Sequence, residues 1–164
     1  MRYIIAIFLL WNSCAPLIGQ KDDARAVEQV LLTMAEGMRL GDSTVVRNLF
    51  TDDAAFYSVF TTKDGDRMLR PGSVDQWITA IGTPHDEAWN EELWDMEISI
   101  DGVLAHVWAP YAFYLGDQFS HCGVNSFQLV KGNDDQWRIF HGTDTRRRSD
   151  CESFIPYKIK EKYN

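Results

Sequence analysis

The spacing of apolar residues changes period once along this chain, and that change limits the fold more than any other feature. Before residue 83 most apolar side chains recur at helical spacing. From Trp94 the spacing becomes two, with Trp94, Met96, Ile98 and Ile100 alternating with Asp95, Glu97, Ser99 and Asp101. A helix returns the same face every 3.6 residues and a strand every two. Helices followed by a run of alternating strands bury their apolar stripes against one face of a sheet, an α+β layer arrangement.

The elements read as follows. Asp22 or Asp23 caps a helix whose Val27, Val30, Leu31, Met34 and Met38 share one face, and Gly41 ends it. Asp42 or Ser43 opens a second, short helix carrying Val45, Val46, Leu49 and Phe50. A strand over 55–61 turns at Asp64-Gly65 towards a short partner near Arg67–Leu69. Ser73 caps a third helix with Val74, Trp77, Ile78 and Ile81 on one side, stopped by Gly82 and Pro84. Turns at Asp101-Gly102, Gly116-Asp117 and Gly132-Asn133 then separate four antiparallel strands, the last ending near Thr145. Residues 149–164 read as an extended tail with few contacts beyond Cys151.

The first twenty residues have the pattern of an export signal. Met1-Arg2 precedes an unbroken apolar run, Tyr3 to Trp11, and then the small-residue region up to Gln20. That run is too short to span a bilayer, which takes about 20 apolar residues. The expectation is cleavage near Gly19 or Gln20 and a periplasmic or secreted protein. The alternative is a lipid on Cys14, because Leu10-Trp11-Asn12-Ser13-Cys14 loosely matches a lipoprotein cleavage box; membrane contact is expected only in that case. The remaining chain makes one domain over 21–148 plus the tail, enough to bury a core unaided. Acidic residues outnumber basic ones, 24 to 16, and the only basic cluster, Arg146-Arg147-Arg148, is flanked by Asp144 and Asp150. A nucleic-acid surface needs a basic stripe, so that class of partner is excluded.

Two cysteines, Cys122 and Cys151, remain beyond the signal, and in an exported chain they are expected to pair. The bridge closes a loop of about thirty residues and would contribute roughly 3 kcal/mol by limiting the unfolded chain. Cys122 follows His121 in SHCGVNSF (120–127), which invites a thiol–imidazole dyad. Neighbouring residues on a strand point to opposite faces. Cys122 should therefore face the tail and His121 the other side.

The order of elements, LFTDDAAFYS after the second helix and HCGVNSFQLVKGNDDQWRIFHGTDTRRR at the end resemble the nuclear transport factor 2-like superfamily, nearest its SnoaL-like and lumazine-binding-like branch. The resemblance covers about residues 22–148. It implies a cystatin-like, cone-shaped roll: three N-terminal helices packed on a curved antiparallel sheet, with a small apolar ligand in the open end. It also implies a homodimer through the outer sheet face, where apolar residues on both sides of 103–115 need cover. Ketosteroid isomerases of the superfamily carry a general-base Asp five residues after the second Asp of a similar Asp-Asp-Ala. This chain has Ser58 there, and serine without a neighbouring base takes no proton at neutral pH. Asp52 and Asp53 read as a solvated turn at a helix end.

Pairing from a two-residue turn at Gly116-Asp117 places Leu115 opposite Gln118, Trp108 opposite Asn125 and Ala112 opposite His121. Continuing across the sheet places Asn125 opposite His141 and His121 opposite Thr145. On that register Trp108, His121, Asn125, Phe127 and His141 form a ligand pocket, and one bulge would invert part of it. His121 reads either as a polar group at the cone mouth or as a neutral histidine satisfied locally. His85, His106, His121 and His141 show no zinc spacing, so no metal or cofactor is expected. Trp89 and Trp94 beside Glu87, Glu91 and Glu92 read as a ligand-facing lip, core or a dimer contact. Asp144 with Arg146 and Arg147 reads as an ion-paired anchor for the last strand. Two functions follow: a domain that binds a small, partly apolar molecule, or a cofactor-independent isomerase, dehydratase or cyclase. The second would use His121, His141 or Asp144 as acid and base.

Overall fold

The computed structural model describes residues 17–163; Cys14 and most of the expected export signal lie outside that range. Three helices come first, α1 (Leu17–Leu40), α2 (Ser43–Asn48) and, after a hairpin, α3 (Val74–Gly82). The hairpin is β1 (Phe50–Thr61) and β2 (Arg67–Gly72). Five strands follow: β3 (Trp89–Leu93), β4 (Glu97–Asp101), β5 (Leu104–Leu115), β6 (Gln118–Lys131) and β7 (Trp137–Thr145). They form one sheet in the order β2-β1-β7-β6-β5-β3, with β4 beside β3 on the same edge of β5. The three helices pack on its inner face, as the change of period requires.

The caps follow local chemistry. Asp42 accepts a hydrogen bond from the Val45 amide and Ser73 one from the Gln76 amide, each satisfying a donor left open at a helix start. Gly41 ends α1 at φ 68°, and the Asp42 amide closes the last turn on the Gly37 carbonyl at 2.8 Å. The expected apolar stripe of α1 is buried at all five positions, and Val46, Val74, Ile78 and Ile81 join it. Ala105, Val107, Ala109, Phe127, Leu129 and Ile139 close this core from the sheet. Burial of that many aliphatic side chains, at about 1.5–3 kcal/mol each, is what holds helices to sheet.

Five expectations need correction. Helix α1 begins at Leu17, ahead of Asp22 and Asp23, so neither is its cap. Asp23 instead accepts from Lys131 Nζ at 2.8 Å and Trp137 Nε1 at 3.1 Å, tying α1 to β6 and β7. The sheet is mixed, because β1 runs parallel to β7, from Phe50↔Ile139 to Val59↔Thr145. Asp52 and Asp53 stand exposed within β1, where the register shifts between Phe50 and Ala55. The strand expected from Trp94 starts only at Glu97, as β4; Trp94 lies in a break at Asp95, φ 42°, that separates β4 from β3, a strand not expected there.

The tail is the fifth correction. It folds back as α4 (Tyr157–Lys160) and a 3-10 turn, Glu161–Tyr163. Cys151, Ile155 and Ile159 are buried against Ala112, Tyr114 and Cys122 on the outer sheet face. Cys122 and Cys151 form the expected disulfide. Tyr163 stacks on Tyr114 with ring centres 3.8 Å apart, and its hydroxyl donates to Glu92 at 2.7 Å. The apolar spacing Ile155–Ile159 is one helical turn, too short a signal to stand out in sequence. Among the described residues no helix is long and apolar enough to cross a membrane.

Candidate functional site

Inside the cone, helices α1 and α3 and the inner faces of β1, β3, β5, β6 and β7 enclose a cavity of about 380 Å³. One side is apolar, with Met34, Met38, Phe56, Trp77, Phe113 and Phe127 among its lining. Phe56 meets Trp77 edge to face at 5.3 Å, which fixes that wall. The polar side comes from Ser58 on β1, Glu91 on β3, Tyr111 on β5, His121 and Asn125 on β6, and Asp144 with Arg146 at the end of β7. Strand alternation delivers these groups. Tyr111 and Asn125 face inward with Phe113 and Phe127, while Ala112 and Cys122 face outward.

Asp144 organises the polar side. Its carboxylate accepts from Ser58 Oγ, from Tyr111 Oη at 3.1 Å and from Arg146 Nε at 3.1 Å. Tyr111 is 2 % exposed and its hydroxyl also reaches the Thr145 carbonyl at 3.1 Å. That close approach needs Gly123: a Cβ there would lie 1.8 Å from the Thr145 carbonyl oxygen. Burial raises the Tyr111 phenol, and the charges of Asp144 and Glu91 add to the effect. Tyr111 therefore stays a neutral donor.

Glu91 is the second carboxyl. It accepts from Asn125 Nδ2 at 2.9 Å, and Asn125 is only 6 % exposed. Burial raises the Glu91 carboxyl to about 7; the Asn125 bond opposes this, Asp144 adds to it and Arg146 opposes it. His121 moves the other way, to about 4, because burial and the Arg146 charge disfavour the imidazolium more than Asp144 favours it. Its Nδ1 lies 3.0 Å from Ser120 Oγ, and its ring sits 5.1 Å from Phe113. Burial thus favours the neutral imidazole and the protonated carboxyl among the groups that line the cavity.

The structure places His121, Asn125, Phe127 and Asp144 around the cavity, and Trp108 and His141 outside it. Two bulges account for the difference. Leu115 does pair with Gln118, but the register shifts at Ser120, so Phe113 pairs with His121 and Ala109 with Asn125. The even-numbered residues of β5 then turn outward and leave Trp108 43 % exposed. Across β6 and β7 the register lies two residues from the expected one, Ile139 pairing with Leu129, and a further one-residue shift at Phe140 turns His141 outward, pairing it with Gln128 and Asn125 with Asp144. His141 ends beside Tyr57, ring centres 5.7 Å apart. His106 contacts Ser126 Oγ at 3.1 Å and His85 stacks on Trp89 at 4.8 Å, so the four histidines are dispersed. Among the described residues no group of three or more His, Cys, Asp or Glu side chains stands where it would hold a metal ion.

Sequence reasoning missed Glu91 and Tyr111 as site residues. Glu91 sat in a stretch, WNEEL, read as a lip. Its signal was an acid at an inward position between Trp89 and Leu93, visible only once β3 is recognised. Glu92, next to it, points outward to Lys162 at 2.7 Å and Tyr163.

No family model matches the sequence, and no curated protein matches it. Solved structures do. A function-unknown protein of Mycobacterium tuberculosis is 15% identical, with a TM-score of 0.66, over 90% of this chain and 85% of that one. An NTF2-like protein of unknown function from Shewanella baltica is 19% identical, TM-score 0.58, over 79% and 97%. A scytalone dehydratase-like protein of Novosphingobium aromaticivorans is 12% identical, TM-score 0.60, over 79% and 87%. At these identities the likeness is one of fold.

Proposed function

We propose, from a nuclear transport factor 2-like fold whose cone holds this cavity, that the domain binds a small, largely apolar molecule. The observation that carries the reading is the one-sided polarity of the cavity: aromatic and methionine walls face one cluster of Glu91, Asn125, Asp144, Tyr111 and Arg146. Apolar lining with a few converging polar groups is the usual mix of a small-molecule site. The test is uptake of N-phenyl-1-naphthylamine, followed by its fluorescence. Saturable uptake is expected, with affinity falling about tenfold in Ser58→Phe, which adds bulk to the wall at no cost in folded content by circular dichroism. A wild-type protein giving no saturable signal would sink the reading.

One observation favours a second reading, acid–base catalysis. A carboxyl held near neutrality inside a cavity can take a proton from carbon and return it elsewhere. The role would fall to Glu91, since Ser58 stands at the position where the resemblance implies a base. Exchange of the α-protons of cyclohexenone in D2O, followed by NMR, should then be enhanced by the wild type and lost in Glu91→Gln. The same exchange rate in both proteins would reject it.

Export and assembly belong to the same proposal. The disulfide is compatible with an oxidising compartment. A homodimer would use the part of the outer sheet face that the tail leaves open around Trp108, which is 43 % exposed. Light scattering at tens of micromolar that gives a monomer mass would count against it.

A further inference from the structure

The hydrogen-bonding capacity of the cavity is lopsided. Ser58, Tyr111 and the Nε of Arg146 all spend donors on Asp144, and Asn125 spends one on Glu91. What faces the cavity is consequently rich in acceptors: the Glu91 carboxyl, the remaining lone pairs of Asp144, and the hydroxyl oxygens. The charge is lopsided in the same sense. Glu91 and Asp144 carry two negative charges when ionised, Arg146 supplies one positive charge, Tyr111 stays neutral, and His121 is uncharged at neutral pH because burial and the Arg146 charge hold it to about 4. Arg146 is already paired to Asp144, and although its charge reaches Glu91, Glu91 is the cavity carboxyl with no ion pair of its own among the described residues. Phe113, its cross-strand partner, and Trp89, two residues before it on β3, stand beside it, and Trp77 and Phe127 also line the cavity; the faces of such rings attract a cation.

Resting on the reading that the cavity takes a small molecule, we propose that its ligand is an apolar or aromatic molecule carrying a protonated amine. The ammonium is held by Glu91 with Asn125 as the positioning neighbour, and the apolar body lies against the aromatic wall. An ammonium has three donors and no acceptor, the complement of what the polar side offers. It also removes the net negative charge that a desolvated cavity holds at a cost. A carboxylate ligand would meet two carboxylates, and a neutral alcohol would leave Glu91 uncompensated. Because burial sets the Glu91 carboxyl near 7, an incoming ammonium favours its ionised form and expels a proton.

Three probes of one shape separate the possibilities: 2-phenylethylamine, 2-phenylethanol and phenylacetate, titrated by calorimetry against the full-length folded protein. The amine should bind about tenfold tighter than the alcohol at about pH 8, where Glu91 is ionised. That advantage should vanish near pH 5.5 and in Glu91→Gln at either pH. It should persist in Glu92→Gln, whose side chain points to the tail. Amine binding at about pH 7 should release protons, seen as a heat that varies with the ionisation enthalpy of the buffer. Equal affinity for amine and alcohol in the wild type overturns the amine assignment and leaves small-molecule uptake standing. Tightest binding of phenylacetate overturns it as well and transfers the ligand charge to Arg146. If none of the three binds while N-phenyl-1-naphthylamine still does, the amine assignment fails alone; if that dye also fails, both readings fall.

Discussion

Strands β5 and β6 present two faces with opposite treatments. Their inner face carries Tyr111, His121 and Asn125 into a cavity and leaves carboxylates lining it. Their outer face carries Ala112, Tyr114 and Cys122 under a tail that is locked down by a disulfide, buried isoleucines and stacked tyrosines. Each pair of neighbours, Tyr111-Ala112 and His121-Cys122, is thus divided between a polar cavity and an apolar seal. One strand positions chemistry and stability together because alternation sends consecutive side chains to different surroundings. The seal stiffens the strands from behind, and the cavity in front carries buried polar groups that a stiff frame keeps in register.

The largest effect should come from opening the seal. Replacing both cysteines by alanine removes a link between residues 29 apart in sequence. It should cost about 3 kcal/mol and lower the melting temperature by roughly 10 °C. Uptake by the cavity should survive below the new melting point. Thermal unfolding and dye binding on the same sample decide it: a folded double variant that no longer takes up ligand would show that the two faces are not independent.

Next is the anchor of the inner face. Asp144→Ala strands Ser58, Tyr111 and Arg146 without their shared acceptor. Leaving buried donors unmade costs about 1–3 kcal/mol, so urea unfolding should show a loss of about 2 kcal/mol. Tyr111→Phe should cost less, about 1 kcal/mol, because it removes a donor together with its bond. A larger loss for Tyr111→Phe than for Asp144→Ala would mean that Thr145, not Asp144, is the partner that matters.

The seal and the cavity differed in how far they could be read from sequence. The disulfide was legible because a chain read as exported leaves two cysteines beyond its expected signal, and two cysteines allow one pairing. The helix stripes, and the caps of α2 and α3, were legible because each depends on residues within two turns of one another. The cavity was legible only in part. His121 and Asn125 share a face whatever their partners are, so their common direction came through. Trp108 and His141 were assigned through cross-strand registers, and single-residue bulges at Ser120 and Phe140 turned both outward. Glu91 broke the apolar-inward rule that sequence patterning depends on, and only the shape of the folded sheet shows that an acid is directed inward there.

A smaller effect tests the link between Asn125 and Glu91. Asn125→Leu removes the hydrogen bond that opposes the rise of the Glu91 carboxyl, so Glu91 should titrate higher still. Ligand affinity should fall about five- to tenfold, the worth of one orienting hydrogen bond of about 1 kcal/mol. The melting temperature should change little, since leucine fills similar space. If affinity holds while stability drops, Asn125 supports the strand rather than the ligand, and the polar side of the cavity shrinks to Asp144 and its partners.

The smallest effect, in the wild type, is a cancellation that single variants expose. Glu91 has a folded value raised to about 7 from 4.5. Its contribution is fully present below the unfolded value and is lost as pH rises through the folded one. His121 has a folded value lowered to about 4 from 6.5. Its contribution is present above the unfolded value and is lost as pH falls through the folded one. Between about pH 4.5 and 6.5 the two slopes oppose, each limited to about 1.4 kcal/mol per pH unit. Together they should leave a net change below about 1 kcal/mol. Asp23 and Asp134, whose carboxyls are held low by Lys131 and Arg138, add a background common to all variants, so the informative quantity is variant minus wild type. Relative to wild type, Glu91→Gln should gain stability as pH rises over this window, and His121→Gln should lose it. Urea unfolding at half-unit steps measures both. Two differences of the same sign would mean that one of these side chains does not face the cavity with its ionisable end, and the division between inner and outer face would have to be redrawn at that residue, on β3 for Glu91 or on β6 for His121.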